Sequence, residues 1–123
     1  MKVKLLGGLL ASMLIINACK TAHTADIPAH SIRETVNNSE TMLVDVRIPE
    51  QYAAGSARNA VNIPLAELKS NMESLKGKKV VVFCNKGVQA DQAMEILKKN
   101  GVEAYDGTSW KNVKAIQEET DKK

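Results

Sequence analysis

Four consecutive apolar residues, Val80-Val81-Val82-Phe83, follow Lys78-Lys79 and run into Cys84. Side chains of a strand alternate between sheet faces, so a strand with no polar face must be covered on both. Doubly covered sheets are built largely from parallel strands joined by helical crossovers. Residues 78–83 therefore predict a central strand, and a helix must follow it. The chain supplies one: after a compact turn bearing Gly87, residues 88–100 carry a helical pattern with Val88, Met94 and Leu97 among its apolar contributors, stopped by Asn100-Gly101.

The same alternation runs through the rest of the chain. A first helix is expected over residues 30–38, and an apolar strand over residues 41–47. Pro49 opens a short helix closed by Gly55, and residues 60–63 form a short strand. Pro64 starts a further helix in which Leu65, Leu68, Met72 and Leu75 recur at helical spacing. Residues 102–105 read as a last strand, Asp106-Gly107-Thr108 as a turn, and Ser109 as the cap of a final helix reaching about residue 119. Residues 120–123 are expected to fray. Strands alternating with helices predict one α/β domain, a three-layer sandwich with a mostly parallel central sheet flanked by helices.

The N-terminus belongs to another category. Lys2 and Lys4 precede a mostly apolar run of about a dozen residues, then Asn17-Ala18-Cys19. That order of parts is a secretory signal, and the run is short for a membrane-spanning helix. Ile16-Asn17-Ala18-Cys19 resembles a bacterial lipobox. Residues 1–18 are thus expected to be removed, with lipid on Cys19 holding the protein to a membrane on the periplasmic or outer side. Ordinary signal cleavage and an uncleaved anchor are the alternatives. Residues 19–26 read as a tether, with a possible strand at residues 25–27, and residues 27–119 as the domain. Without Lys2 and Lys4 the chain retains 15 of its 17 basic residues against 14 acidic ones. A near-neutral balance gives no reason to expect a nucleic-acid partner. His23 and His30 have no ligand-spaced companions, so no metal site is expected.

With lipid on Cys19, Cys84 has no partner within the chain, which holds two cysteines. Exported proteins normally pair their thiols. Ligand sites in parallel sheets lie beyond the carboxyl ends of the strands, and Cys84 stands at that end of the central strand. The helix that follows directs free N–H groups and its positive dipole end toward the turn, which favours an anion there, thiolate included. Lys86 adds charge, although a turn lysine is as readily a solvated one; Gly87 allows backbone amides to converge. A strand-end cysteine can equally be a small buried hydrophobe, and these residues alone leave both readings open.

Several fragments together resemble the single-domain rhodaneses, the sulfurtransferase homology domain, over roughly residues 27–116. Asp45-Val46-Arg47 is similar to D-x-R, Glu50-Gln51-Tyr52 to E-x-[YF], and Ala60-Val61-Asn62-Ile63-Pro64 to A-x-N-I-P. Cys84 and Gly87 fit C-x-x-G-x-R, and Gly107 with Trp110 fits a shortened G-G-x-x-x-W. The resemblance implies that Cys84 attacks the outer sulfur of thiosulfate or a related small sulfur anion and becomes a persulfide. Asn85, Lys86, Gly87, Val88, Gln89 and Ala90 would cradle donor and persulfide, and a thiol or protein would accept the sulfur. It implies no metal and no organic cofactor. Asp45 and Arg47 would orient the loop or one another, and Trp110 would be core or pocket wall. Gln89 departs from the pattern's arginine, and Lys86 is the candidate to restore the charge. Gly55-Ser56-Ala57-Arg58-Asn59 replaces G-H-I-x-G, with Arg58 a candidate positive group near the site. The related phosphatases hold phosphate with an arginine further along the loop; Gln89 and Ala90 supply no guanidinium. A persulfide carrier with little turnover and a redox-sensing thiol are the competing readings.

Overall fold

The computed structural model describes residues 29–123. The predicted signal, Cys19, the tether, the possible strand at residues 25–27 and His23 lie outside the described residues. Five helices and four strands follow in the order α1 (Ala29–Asn37), β1 (Met42–Asp45), α2 (Pro49–Ala54), β2 (Val61–Asn62), α3 (Met72–Leu75), β3 (Lys79–Cys84), α4 (Val88–Lys99), β4 (Glu103–Ser109) and α5 (Trp110–Asp121). The sheet has the order β2-β1-β3-β4, and all three pairings are parallel.

β3 is the interior strand that its lack of a polar face required. Val80, Val82 and Cys84 face one core with Val44 and Val46 of the β1 region, Leu68, Met72 and Leu75, and Ala90, Ala93 and Leu97 of α4. Val81 and Phe83 face the other, with Leu43, Val36 of α1, and Val113 and Ile116 of α5. The period of two thus sorts one valine run into two cores, and the three layers follow. On the far face, Arg33 of α1 pairs with Glu119 of α5.

Four local expectations change. The helix predicted from Pro64 is broken into two 3₁₀ turns, Leu65–Glu67 and Lys69–Asn71, ahead of the four-residue α3. Ser70 and Asn71 bond back to the carbonyl of Glu67, competing with the regular helical ladder. The apolar spacing still delivers Leu68, Met72 and Leu75 to the core. Val88 does not contribute to the core; it is 67% exposed at the first position of α4. At the other end of the chain, Thr120 and Asp121 belong to α5, where Asn37 donates to Thr120 and Arg58 pairs with Asp121.

The predicted turn at Asp106-Gly107-Thr108 is a β-bulge inside a longer β4. Val82 pairs with Asp106 but Phe83 pairs with Thr108, so Gly107 is the inserted residue. A Cβ on Gly107 would lie 2.8 Å from Val113 Cγ2 and 2.9 Å from Val81 Cγ1, so only glycine fits there. The Asp106 carboxylate accepts the Thr108 N–H at 2.7 Å, which is the turn chemistry the sequence displays. The bulge holds Thr108 at φ +66°, an unusual setting for a β-branched residue, and carries β4 on to the level of Cys84.

Candidate active site

Cys84 ends β3 with 2% of its surface exposed, its sulfur at the base of a pocket of about 280 Å³ lined by Gln51, Cys84, Asn85, Lys86, Val88 and Gln89. The strand delivers the sulfur to the sheet's carboxyl edge, and the following turn folds back over it. The Gly87 N–H donates to Sγ at 2.9 Å. Gly87 has φ +101° and precedes α4, whose first bond runs from the Asp91 N–H to the Gly87 carbonyl. The amides of Val88, Gln89 and Ala90 come before that bond and fall in the first turn, where helical N–H groups are free for an anion. Thr108 closes the opposite side. Its carbonyl lies 3.6 Å from Sγ, and its methyl would lie 3.2 Å from a Cβ on Gly87.

Behind the pocket, Asp45 and Arg47 form a buried pair. The Asp45 carboxylate accepts from the Arg47 backbone N–H at 3.0 Å, from Arg47 Nε at 3.0 and 3.1 Å, from Arg47 Nη2 at 2.7 Å and from Ser56 Oγ at 2.7 Å. Arg47 Nη2 also donates to the Gly55 carbonyl, and the guanidinium lies 5.0 Å from the centre of the Trp110 ring. Between the pair, the Val46 N–H bonds the carbonyl of Phe83 at 3.0 Å, the residue before Cys84. Asn62 donates to the carbonyls of both Asp45 and Arg47, and the Tyr52 hydroxyl donates to the Ala60 carbonyl. The motif residues outside the loop therefore tie the strand ends together.

The loop residues singled out in the sequence come together: Asn85, Lys86, Val88 and Gln89 line the pocket, with Gly87 and Ala90 buried as backbone and packing beneath. Asp45 and Arg47 orient one another. Trp110 is half-buried against Gly55 and Arg47 and does not line the pocket. Arg58 is the exception. It pairs with Asp121 and borders a separate hollow with Thr41. Thr41 precedes β1, whose Met42 is level with Val80, so Arg58 belongs to the opposite end of the sheet from Cys84. The substituted loop sends it away because the buried Gln117 accepts from its backbone N–H and donates to its carbonyl. Two neighbours were missed. Gln51 was hidden inside a motif read for its flanking Glu50 and Tyr52, and Thr108 was read as a turn. The glycine-glycine pattern that Thr108 interrupts was the available signal for its backbone setting.

A parallel α/β sheet whose central strand ends on a cysteine, with the next helix starting just beyond it, defines a class of α/β domains with a strand-end thiol. Within that class, residues 28–115 match the rhodanese-like domain family, and the chain belongs to it. It is 44% identical over 61 residues to the thiosulfate sulfurtransferase PspE of Escherichia coli, a match covering 47% of this chain and 59% of that protein. Of solved structures, a rhodanese with anions from E. coli superposes with a TM-score of 0.55 at 36% identity, covering 58% of this chain and 89% of that one. A rhodanese-related protein from Thermoplasma volcanium gives 0.58 at 28% identity, covering 73% and 87%. The chain spans about half the length of the curated relatives it matches, 59% and 50% for two of them.

Proposed function

We propose that this protein is a sulfurtransferase that carries sulfane sulfur on Cys84, taking it from thiosulfate or a related donor and giving it to a thiophilic acceptor. One observation carries this reading: the sulfur at the pocket base accepts the Gly87 N–H at 2.9 Å beneath the first turn of α4. A thiolate there is a nucleophile already held by a donor, and the persulfide formed from it stays anionic among the same amides. In the first half-reaction Sγ bonds to the donor's outer sulfur and the donor's S–S bond breaks, sulfite leaving with the electron pair when the donor is thiosulfate. In the second, the acceptor takes that outer sulfur and the Cys84 thiolate returns. The likeness to PspE supports the reading.

The test is thiocyanate formation from thiosulfate and cyanide by a soluble form beginning at residue 20, beside Cys84→Ser. Intact mass then shows whether one sulfur is added. Thiocyanate from the parent and none from Cys84→Ser is the expected outcome; neither thiocyanate nor adduct refutes the transfer. An adduct without turnover favours a persulfide carrier, which the absence of a loop guanidinium keeps as the second reading. The lipobox-like segment supports export and lipid attachment at Cys19. Cys19→Ser then abolishes membrane partitioning, and unchanged partitioning defeats that assignment.

A further inference from the structure

The pocket is short of positive charge. Of its six lining residues, Lys86 alone is charged. Arg47 is close in sequence to the site but is spent: its side chain is 5% exposed and bound to Asp45 and Gly55. Arg58 is committed to Asp121 at the other end of the sheet. Lys111 rides over the Trp110 ring at 5.7 Å and does not line the pocket. Lys86 makes no ion pair with any other described residue, so its single charge is available to a ligand. Acidic residues stand nearby in sequence, Glu50 in the first turn of α2 and Asp91 in that of α4. The rest of the lining is uncharged: amides from Gln51, Asn85 and Gln89, and the exposed Val88.

Resting on the sulfur-transfer reading, we propose that this pocket selects sulfane donors with one negative charge and an organic group over the dianion thiosulfate, with Lys86 and the uncharged Gln89 setting the limit. Thiosulfate meeting the Cys84 thiolate brings together three negative charges. One ammonium and a helix end of about half a charge leave about half of that uncompensated. An organic thiosulfonate brings two in all. Its organic group lies over Val88, and its remaining oxygens take hydrogen bonds from the amides. The transfer balances for such a donor. Sγ attacks the outer sulfur of R–SO2–S⁻, the new Sγ–S bond forms, the old S–S bond breaks, and the sulfinate R–SO2⁻ leaves with the electron pair, Cys84 keeping an anionic persulfide.

A matched pair of probes tests this. Methanethiosulfonate keeps the outer sulfur of thiosulfate and replaces one charged oxygen with methyl. Rates of persulfide loading on the purified full chain are measured with both and divided by the rates of a free thiol with the same donors, which removes intrinsic reactivity. The normalised preference for methanethiosulfonate is expected to be about tenfold or more, the scale on which local charge alters encounter. Gln89→Arg shifts that preference toward thiosulfate by about tenfold, and Lys86→Gln shifts it further away. Equal or better loading by thiosulfate, or a ratio unmoved by both variants, overturns the charge limit while sulfur transfer stands. No loading by either donor overturns the transfer reading, and this inference with it.

Discussion

Asp45→Asn is the sharpest test of how the strand ends are held. Asp45 is fully buried and its carboxylate receives three groups of Arg47 and the Ser56 hydroxyl. The substitution keeps the volume and removes the charge. A guanidinium 5% exposed is then left without its anion, and the new amide N–H₂ faces donors. Breaking a buried pair from one side costs about 3–5 kcal/mol, because the remaining charge stays desolvated. A domain of this size holds about 5–15 kcal/mol in all. Asp45→Asn should therefore lower Tm by roughly 12 °C or more, at about 4–8 °C per kcal/mol for a small domain. Trp110, the only tryptophan, lies 5.0 Å from the guanidinium and reports both global unfolding and local loss of order in urea titrations.

A double substitution separates charge from shape. Asp45→Leu with Arg47→Met removes both ions and keeps apolar bulk, and such replacements are often neutral. Here the Arg47 backbone N–H, the Gly55 carbonyl and the Ser56 hydroxyl lose partners, at about 1–3 kcal/mol for each group left unsatisfied. The double variant should nevertheless be more stable than the sum of the single changes by about 2 kcal/mol, within the range for contacting pairs. A loss below about 1 kcal/mol for Asp45→Asn, or strict additivity of the pair, would refute the argument that Arg47 depends on this carboxylate.

Three further outcomes follow from the loop and the bulge. Gly87→Ala puts a side chain at φ +101° with its Cβ 3.2 Å from the Thr108 methyl, which should cost roughly 1–3 kcal/mol of stability and slow alkylation of Cys84 by iodoacetamide. Gly107→Ala meets two valine methyls within 3 Å and the Val82 carbonyl at 3.2 Å; overpacking of about 1–3 kcal/mol is expected by urea titration, with the bulge register as the casualty. Asp106 is held above its ordinary value of 3.8, first by burial and then by the neighbouring Asp91 carboxyl, against the Thr108 N–H and Lys98. The folded state therefore binds a proton more readily than the unfolded chain, and stability falls as pH rises from about 3.8 through the raised value. Asp106→Asn should remove that fall, so that its advantage over the parent grows between acid and neutral pH; equal pH profiles would contradict it.

How far the sequence was legible depends on what each residue answers to. The valine run of β3 could be read directly, because burial on both faces leaves no other use for it, and both cores descend from its alternation. The loop could be read because strand, thiol, glycine and helix are adjacent in the chain, so their juxtaposition needs no tertiary knowledge. Arg58 could not. Its fate was decided by Gln117, fifty-nine residues away, whose side-chain amide bonds the Arg58 backbone in both directions. Spacing carries no trace of such a contact. Thr108 was illegible for a different reason: Asp-Gly-Thr has turn chemistry whether the chain reverses or a strand bulges, and the hydrogen bond from the Thr108 N–H to Asp106 serves either.

That ambiguity bears on the chemistry at Cys84. The bulge adds one residue to β4 and thereby sets the Thr108 carbonyl 3.6 Å from Sγ. The Gly87 N–H meets the sulfur as a donor and the Thr108 carbonyl as an acceptor, so the sulfur sits between the two. As a thiol it gives its S–H to the carbonyl and takes the amide N–H in the same setting. Both groups are backbone, held by Gly107's fit against Val81 and Val113 on one side and by the start of α4 on the other. The setting of the sulfur is thus governed by backbone placement, with the buried Asp45–Arg47 pair acting only through the strand ends it secures.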